Sequence, residues 1–248
     1  MEYDELVGTA LAVPFEGWDF GVFEGRFTDP GLPWEYERMV RQRLPRVTSL
    51  LDLGTGGGEL LSSLAPLPTG TAATEGYPPN VPVARRRLAP LGVEVAEAAG
   101  DGVLPFPDGS FELVTSRHEA YSPAELARVL APHGEFVTQQ VGGQDLAQLN
   151  AALGAPPHTH GDWDLATARR QLADAGFEIT WQAETHMPAE FHDIGALVLF
   201  LRVTPWQVPD FTVARYEKPL HALHDRMRVG EPLRVSCHRF VLTARVRR

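Results

Sequence analysis

Cysteine is almost missing from this 248-residue chain, where Cys237 stands alone. One thiol can neither close an internal disulfide nor build a zinc site of thiolates, so a reducing, cytoplasmic setting is expected. Long apolar runs are missing as well. The longest, around Ile194 to Leu201, is interrupted by Gly195 and closed by Arg202. It is too short to span a bilayer, and no membrane partner is expected. The opening Met-Glu-Tyr-Asp-Glu has neither the basic start nor the apolar stretch of a secretory signal. Internal repeats and low-complexity linkers are absent too. With 22 Lys and Arg against 32 Asp and Glu, the net charge is −10, the wrong sign for broad binding to a phosphate backbone. That charge is uneven: from Leu201 onward 10 basic residues meet 4 acidic ones, leaving +6 there and −16 elsewhere. A basic tail of this kind either faces an acidic substrate or neutralises an acidic body.

What is present describes a globular chain, with 44% hydrophobic and 22% charged residues. The length suits one large domain over residues 1–248. Residues 1–47 read as an N-terminal cap, aperiodic over the first ~30 residues, followed by a helix at 34–44. From 48 to 141 strand-like runs (48–53, 71–75, 92–96, 111–116, 134–141) alternate with helix-like stretches (58–65, 79–89, 122–131). Such alternation predicts an α/β fold with a doubly wound, mostly parallel sheet. Ser122-Pro123-Ala124-Glu125 has the composition of a capping box, and Pro132-His133-Gly134 turns the chain into the next strand. In the C-terminal half, 142–248, helices are expected at 145–153, 163–175, 189–203 and 211–228. Strands are expected at 177–185 and 233–246, the last antiparallel at a sheet edge. Residues 186–232 exceed what a bare sheet needs and read as a helical insertion, a lid or substrate-recognition element.

The sharpest local feature is Leu51-Asp52-Leu53-Gly54-Thr55-Gly56-Gly57-Gly58-Glu59, between a buried strand and a helix. Glycine is needed where backbone turns sharply or lies against a ligand. Ligands of open α/β sheets bind at the carboxyl ends of the strands, where this loop falls. A dinucleotide fingerprint wants a third glycine where Glu59 stands, and a carboxylate there opposes a pyrophosphate. No Gly-Lys-Ser/Thr follows, so a phosphate-binding P-loop is excluded.

The run Asp52-x-Gly54-x-Gly56-x-Gly58 resembles the first motif of class I S-adenosylmethionine-dependent methyltransferases. Glu75, ending the second core strand, matches the acidic residue that holds the cofactor's ribose hydroxyls in that family. Tyr77 is either an adenine-stacking ring or an ordinary loop aromatic. In Gly100-Asp101-Gly102, Asp101 is placed to accept from the adenine amine. Leu104-Pro105-Phe106-Pro107-Asp108-Gly109-Ser110-Phe111-Glu112-Leu113-Val114 looks like the fourth-strand motif of the small-molecule, "type 11"-like subgroup. Leu130-Ala131-Pro132-His133-Gly134 resembles its post-helix L-x-P-G-G turn, with His133 replacing one glycine. The resemblance covers residues 48–141 and implies a Rossmann-like fold with S-adenosyl-L-methionine as cofactor. It implies contacts from Asp52, Gly54, Thr55, Gly56, Gly58, Glu75, Tyr77, Asp101 and Gly102, with Arg117 and Trp34 added on the cofactor side.

Methyl transfer from a sulfonium is an in-line displacement, needing a base only if the acceptor must lose a proton. The Asp/Asn-Pro-Pro-Tyr/Phe signature of adenine- and amide-nitrogen methyltransferases is absent after the fourth strand, where Ser116-Arg117-His118-Glu119-Ala120-Tyr121 stands instead. His118 is the candidate base and Glu119 its orienting or substrate-binding partner. Tyr121, Gln139, Gln140 and His238 are candidates for the substrate side, each with a packing or sheet-face role as the alternative. Trp34 and Tyr36 either roof the pocket or pack in the core, and Trp18, Phe20, Trp206 and Phe211 could build an aromatic lid. His158-x-His160 lacks a convincing third and fourth ligand, so no metal is expected. The leading expectation is methyl transfer to oxygen or carbon of a small organic molecule. An RNA methyltransferase, a non-catalytic cofactor-binding protein and, last, a nicotinamide-dependent dehydrogenase are the rivals.

Overall fold

The computed structural model describes residues 2–14 and 20–247. Along the chain run α1 (Tyr3–Ala12), β1 (Phe27–Thr28), α2 (Tyr36–Arg41), β2 (Ser49–Leu53), α3 (Glu59–Ser63), β3 (Gly70–Glu75) and α4 (Val81–Leu88). There follow β4 (Glu94–Glu97), β5 (Phe111–Arg117), α5 (Pro123–Val129), β6 (Leu130–Val141), α6 (Ala147–Leu153) and α7 (Leu165–Asp174). The chain ends with β7 (Phe177–Phe191), α8 (Ile194–Val203), α9 (Glu217–Arg228) and β8 (Leu233–Val246). Among the described residues no helix is long and apolar enough to cross a membrane.

These elements gather into two compact units. The first comprises the described residues of Pro33–Val141, Asp164–Glu184 and Arg239–Arg248. Its strands lie in the order β7-β8-β6-β5-β2-β3-β4. The pairs β6·β5, β5·β2, β2·β3 and β3·β4 are parallel, and β8 runs antiparallel to β6 with Val137 opposite Thr243. The mostly parallel α/β sheet with its antiparallel last strand is the expected one. Leu50, Leu51 and Leu53 are wholly buried, as a central strand covered on both faces requires. Leu50, Leu61, Leu88, Leu113 and Val137 share one core with Tyr36 and Val40 of α2. The chain winds from β2 outward to β4, then returns to β5 on the opposite side of β2. The carboxyl ends of β2 and β5 therefore flank the switch point where such sheets bind ligands.

Ser122 caps α5 by accepting from the Glu125 N–H. The Glu125 carboxylate does not close the box. It accepts from Leu104 N at 2.8 Å and from Arg128 instead. The expected turn at 132–134 is a bulge inside β6: Leu130 faces Phe111, and the next pair is Glu135 with Leu113. His133 there takes the left-handed conformation, φ 63°, that the glycine it replaces would adopt freely.

The second unit comprises the described residues of Met1–Leu32, Gly142–Trp163 and Thr185–His238, with its own core from α1, α6, α8 and α9. Here four expectations need correction. Residues 3–12, read as aperiodic cap, form α1 and bury Leu6, Val7 and Ala10. The strand expected to end at 185 continues to Phe191, because Met187, Ala189 and Phe191 alternate into the core and the strand's end pairs with β1. The helix expected from 189 therefore starts at Ile194, where Asp193 accepts the Ala196 N–H and the Arg26 guanidinium. The helix expected from 211 starts at Glu217. Seven of the ten α8 residues are buried, so its apolar run is core, at roughly 1.5–3 kcal/mol for each large side chain.

Candidate functional site

The glycine loop leaves the end of β2 through three left-handed glycines, Gly54 (φ 62°), Gly56 (φ 64°) and Gly58 (φ 81°). It is tied to β3: Thr55 N–H donates to Thr74 O at 2.9 Å, and Gly54 N–H donates to Thr74 Oγ1 at 3.3 Å. A Cβ on Gly54 would lie 2.5 Å from Glu119 Cγ, and one on Gly58 would lie 2.9 Å from Leu88 Cγ. These positions tolerate no side chain, because Glu119 and Leu88 pack directly against the loop backbone.

Four carboxylates converge on this loop. Asp52 is buried, and Thr115 Oγ1 donates to its Oδ1 at 2.7 Å. Burial pushes its pKa up to about 6; the hydrogen bond from Thr115 and the charge of Arg117 pull back, while Glu75 pushes further up. Glu75, at the end of β3, is also raised by burial although it accepts from Tyr77 N at 2.7 Å. Glu119 is raised first by burial and then by the charges of Glu75 and Asp101, against a bond from Gly100 N at 3.3 Å. Its carboxylate turns to the loop after β4 and its stem crosses Gly54, so it does not orient His118. Asp101 and Tyr77 stand exposed, and Gly102 N–H closes a turn on Ala99 O.

After β5 the chain bends at His118, a non-glycine residue with φ 64°. Its N–H donates to Gln139 O at 2.8 Å, and its Nε2 lies 3.0 Å from Gln139 Nε2. The Trp34 indole N–H donates to Gln139 Oε1 at 2.9 Å. Surrounding protein, then the charges of Arg239 and Arg117, push the His118 pKa down to about 3. The residue is nonetheless exposed to solvent. Solvent reaching it weakens that push.

The substrate-side candidates separate. Gln139 joins Trp34 to His118 and is itself buried. Gln140 braces the turn after β5, donating to Glu119 O at 2.9 Å and Thr138 Oγ1 at 2.7 Å. Tyr121 is buried edge-on against Phe136 at 5.0 Å, and burial raises its pKa. Tyr36 is buried with its hydroxyl donating to Val137 O. Arg117 ends β5 exposed. In the second unit, His238 is buried, stacked on His186 at 4.1 Å, and its backbone N–H donates to Asp145 Oδ1. Trp206 and Phe211 also belong to that unit, Phe211 stacked on Tyr216. Phe20 opens a short 3-10 turn, and Trp18 lies outside the described residues. His158 Nδ1 accepts the His160 N–H.

A glycine cradle closed to side chains, ringed by mutually interacting carboxylates, suits a ligand carrying positive charge and repels a pyrophosphate. A Cβ on Gly57 would also overlap the Glu59 carboxylate, which pairs with Arg87 at 2.9 Å. The residues present thus fit a sulfonium-bearing nucleoside better than a dinucleotide. The Trp34–Gln139–His118 chain was not legible beforehand, since Trp34 and Gln139 are 105 residues apart.

Comparison with known proteins agrees with this reading. Residues 51–138 match the family described as a methyltransferase domain. A 98-residue stretch, 36% of this chain, is 39% identical to the demethylmenaquinone methyltransferase of Thermus thermophilus and spans 44% of that protein's length. Among solved structures, the YcgJ protein of Bacillus subtilis superposes with a TM-score of 0.61 over 86% of this chain and 98% of its own, at 19% identity. The [4+2]-cyclase SpnF superposes with a TM-score of 0.55 over 98% of this chain and 93% of its own, at 17% identity. A fold shared with a cyclase does not by itself fix the reaction.

Proposed function

We propose that the chain is a class I S-adenosylmethionine-dependent methyltransferase, its residues 51–138 matching a methyltransferase domain, and that it transfers a methyl group from S-adenosylmethionine to oxygen or carbon of a small organic molecule. The observation that carries this reading is the group of carboxylates beside the glycine loop: burial raises the pKa of Asp52, Glu75 and Glu119, and the charge of Glu75 raises Asp52 and Glu119 further. Only a ligand with positive charge relieves that repulsion, and a sulfonium with its amino-acid ammonium does so. When bound, the cofactor supplies an electrophilic methyl group. The glycine loop presents backbone to its amino-acid end, Glu75 accepts from the ribose hydroxyls and Asp101 accepts from the adenine amine. Glu119 lies against Gly54 and moves aside or turns its carboxylate to the incoming ammonium. Nitrogen acceptors of the adenine and amide type are disfavoured by the missing signature after β5. The name of the Thermus relative makes a quinol ring the first acceptor to test. Residues 186–232 are proposed as a further acceptor-recognition element.

Calorimetric titration tests the cofactor. S-adenosylmethionine and S-adenosylhomocysteine are expected to bind one-to-one in the micromolar range, with no heat from NAD. Absence of binding to both sulfur compounds would overturn the reading, and heat from NAD alone would redirect it to a dehydrogenase.

A further inference from the structure

We propose that Trp34 and Gln139 lock His118 as a neutral hydrogen-bond donor, so that the site serves acceptors that ionise by themselves, such as phenols, enols and acidic carbon centres, rather than alcohols or amines. The substrate class rests on the methyltransferase reading above; the locked imidazole does not.

The argument begins at the indole. Its Nε1–H can only donate, and it points at Gln139 Oε1 across 2.9 Å. With the oxygen end of the amide so identified, the other end is an NH2 group that can only donate. Turning the amide over would set donor against donor at Trp34, so the orientation follows from chemistry. That NH2 lies 3.0 Å from His118 Nε2, which must therefore offer a lone pair. A neutral imidazole accepting at Nε2 carries its proton on Nδ1.

Three features hold this state. Gln139 is only 1% exposed, so its amide cannot exchange His118 for water. The Gln139 carbonyl takes the His118 backbone N–H at 2.8 Å, and the left-handed turn at φ 64° sets the ring's direction. The charged groups facing the ring are Arg117 from the end of β5 and Arg239 from β8, both positive, and each opposes a second proton. Trp34 ahead of α2 and Gln139 on β6 are neutral, and the Glu119 carboxylate turns away to Gly100 N. His118 is thus a poor base and a fixed N–H donor.

A site without a base suits an acceptor that loses its proton to water. The resulting oxyanion or carbanion attacks the methyl carbon and forms the new C–O or C–C bond. The methyl–sulfur bond breaks with its electron pair passing to sulfur, which neutralises the sulfonium. No proton moves to His118. Its Nδ1–H, with the two guanidiniums, lowers the cost of negative charge on the acceptor. A phenol, with an ordinary pKa near ~10, comes within reach of neutral pH in such surroundings, and an aliphatic alcohol does not.

The lock is testable without cofactor or turnover. Imidazole nitrogen shifts of histidine-labelled protein, with His118 assigned by loss of its signal in His118→Gln, should show the Nδ1–H tautomer and no titration between pH 5 and 8. An Nε2–H tautomer, or titration near the ordinary histidine value, would overturn the proposal whatever the protein methylates. Gln139→Glu provides the converse. A carboxylate still accepts from Trp34 but draws a proton onto Nε2, so His118 should titrate at least one pH unit higher than in the wild type. An unchanged pKa in that variant would count equally against the lock. For substrate class, phenolic and enolic acceptors should turn over with a pH profile tracking the acceptor's own pKa. Comparable turnover of alcohols or amines would overturn that half alone.

Discussion

Asp52 stands where the demands of the sheet and the site conflict. It closes a strand whose neighbours are wholly apolar, yet it carries a carboxylate, and burial lifts its pKa from 3.8 to about 6. The folded chain therefore holds a proton there that the unfolded chain gives up. The stabilisation this brings is full below the unfolded value and is lost as pH rises through 6. A shift of about two units sets a ceiling of roughly 3 kcal/mol on the effect. His118 acts with the opposite sign, since its depressed pKa contributes stability above 6.5 that is lost as pH falls. Comparing two proteins separates these terms. Asp52→Asn is expected to lose stability between pH 4 and 7 less steeply than the wild type in urea unfolding, by about 1–3 kcal/mol over that interval. Parallel pH curves for the two would show that Asp52 titrates normally. The spacing of the glycines and the strand that follows single out Asp52 and Glu75 as candidates, and the structure brings both to the glycine loop. The stem of Glu119 lying across Gly54 was not legible, because the contact joins the ends of two strands 65 residues apart in the chain.

Among the elements, α5 is the clearest case of a boundary written in sequence and modified by its surroundings. The Ser122 hydroxyl accepts the Glu125 N–H as its composition predicts. The partner glutamate leaves the cap because Arg128, one turn on, holds it with two hydrogen bonds and lowers its pKa. Arg128 also reaches the carbonyls of Leu104 and Phe106, so that Glu125 and Arg128 staple the fourth-strand approach to α5. Ser122→Ala should cost about 1 kcal/mol in equilibrium unfolding, the usual value of a lost N-cap, with cofactor affinity unchanged. No change in stability would mean that the hydroxyl bond at 3.4 Å contributes nothing. Strands β2, β3 and β5 fell close to their expected limits because parallel strands buried on both faces read as apolar runs. The end of β7 and the start of α1 did not. In both, one face is buried in a core whose other half lies far along the chain.

For the whole molecule, charge makes the sharpest statement. A body at −16 with a tail at +6 has local attraction for phosphate but overall repulsion from a polyanion. Filter binding to total tRNA or rRNA at 50 mM salt should give no complex tighter than the non-specific range of about 10⁻⁴–10⁻⁶ M. Tight binding that weakens steeply with salt would instead revive the RNA-methyltransferase reading. Three of the ten basic residues of the tail are paired locally: Arg215 with Asp210, Arg226 with Glu231 and Arg234 with Glu190.

The alternation of apolar runs with helical stretches was enough to determine a mostly parallel α/β sheet. Glycine spacing and the acidic residue after it were enough to pick out the loop at the end of β2 as the candidate cofactor site, because those signals are local and the backbone geometry they encode is local too. Tertiary structure alone decided how the chain divides between two cores, since each core collects segments separated by a hundred residues or more. It alone set Trp34 against Gln139 and Gln139 against His118. The protonation state of an imidazole depends on which end of an amide it meets, and that is settled only when distant strands and helices come together.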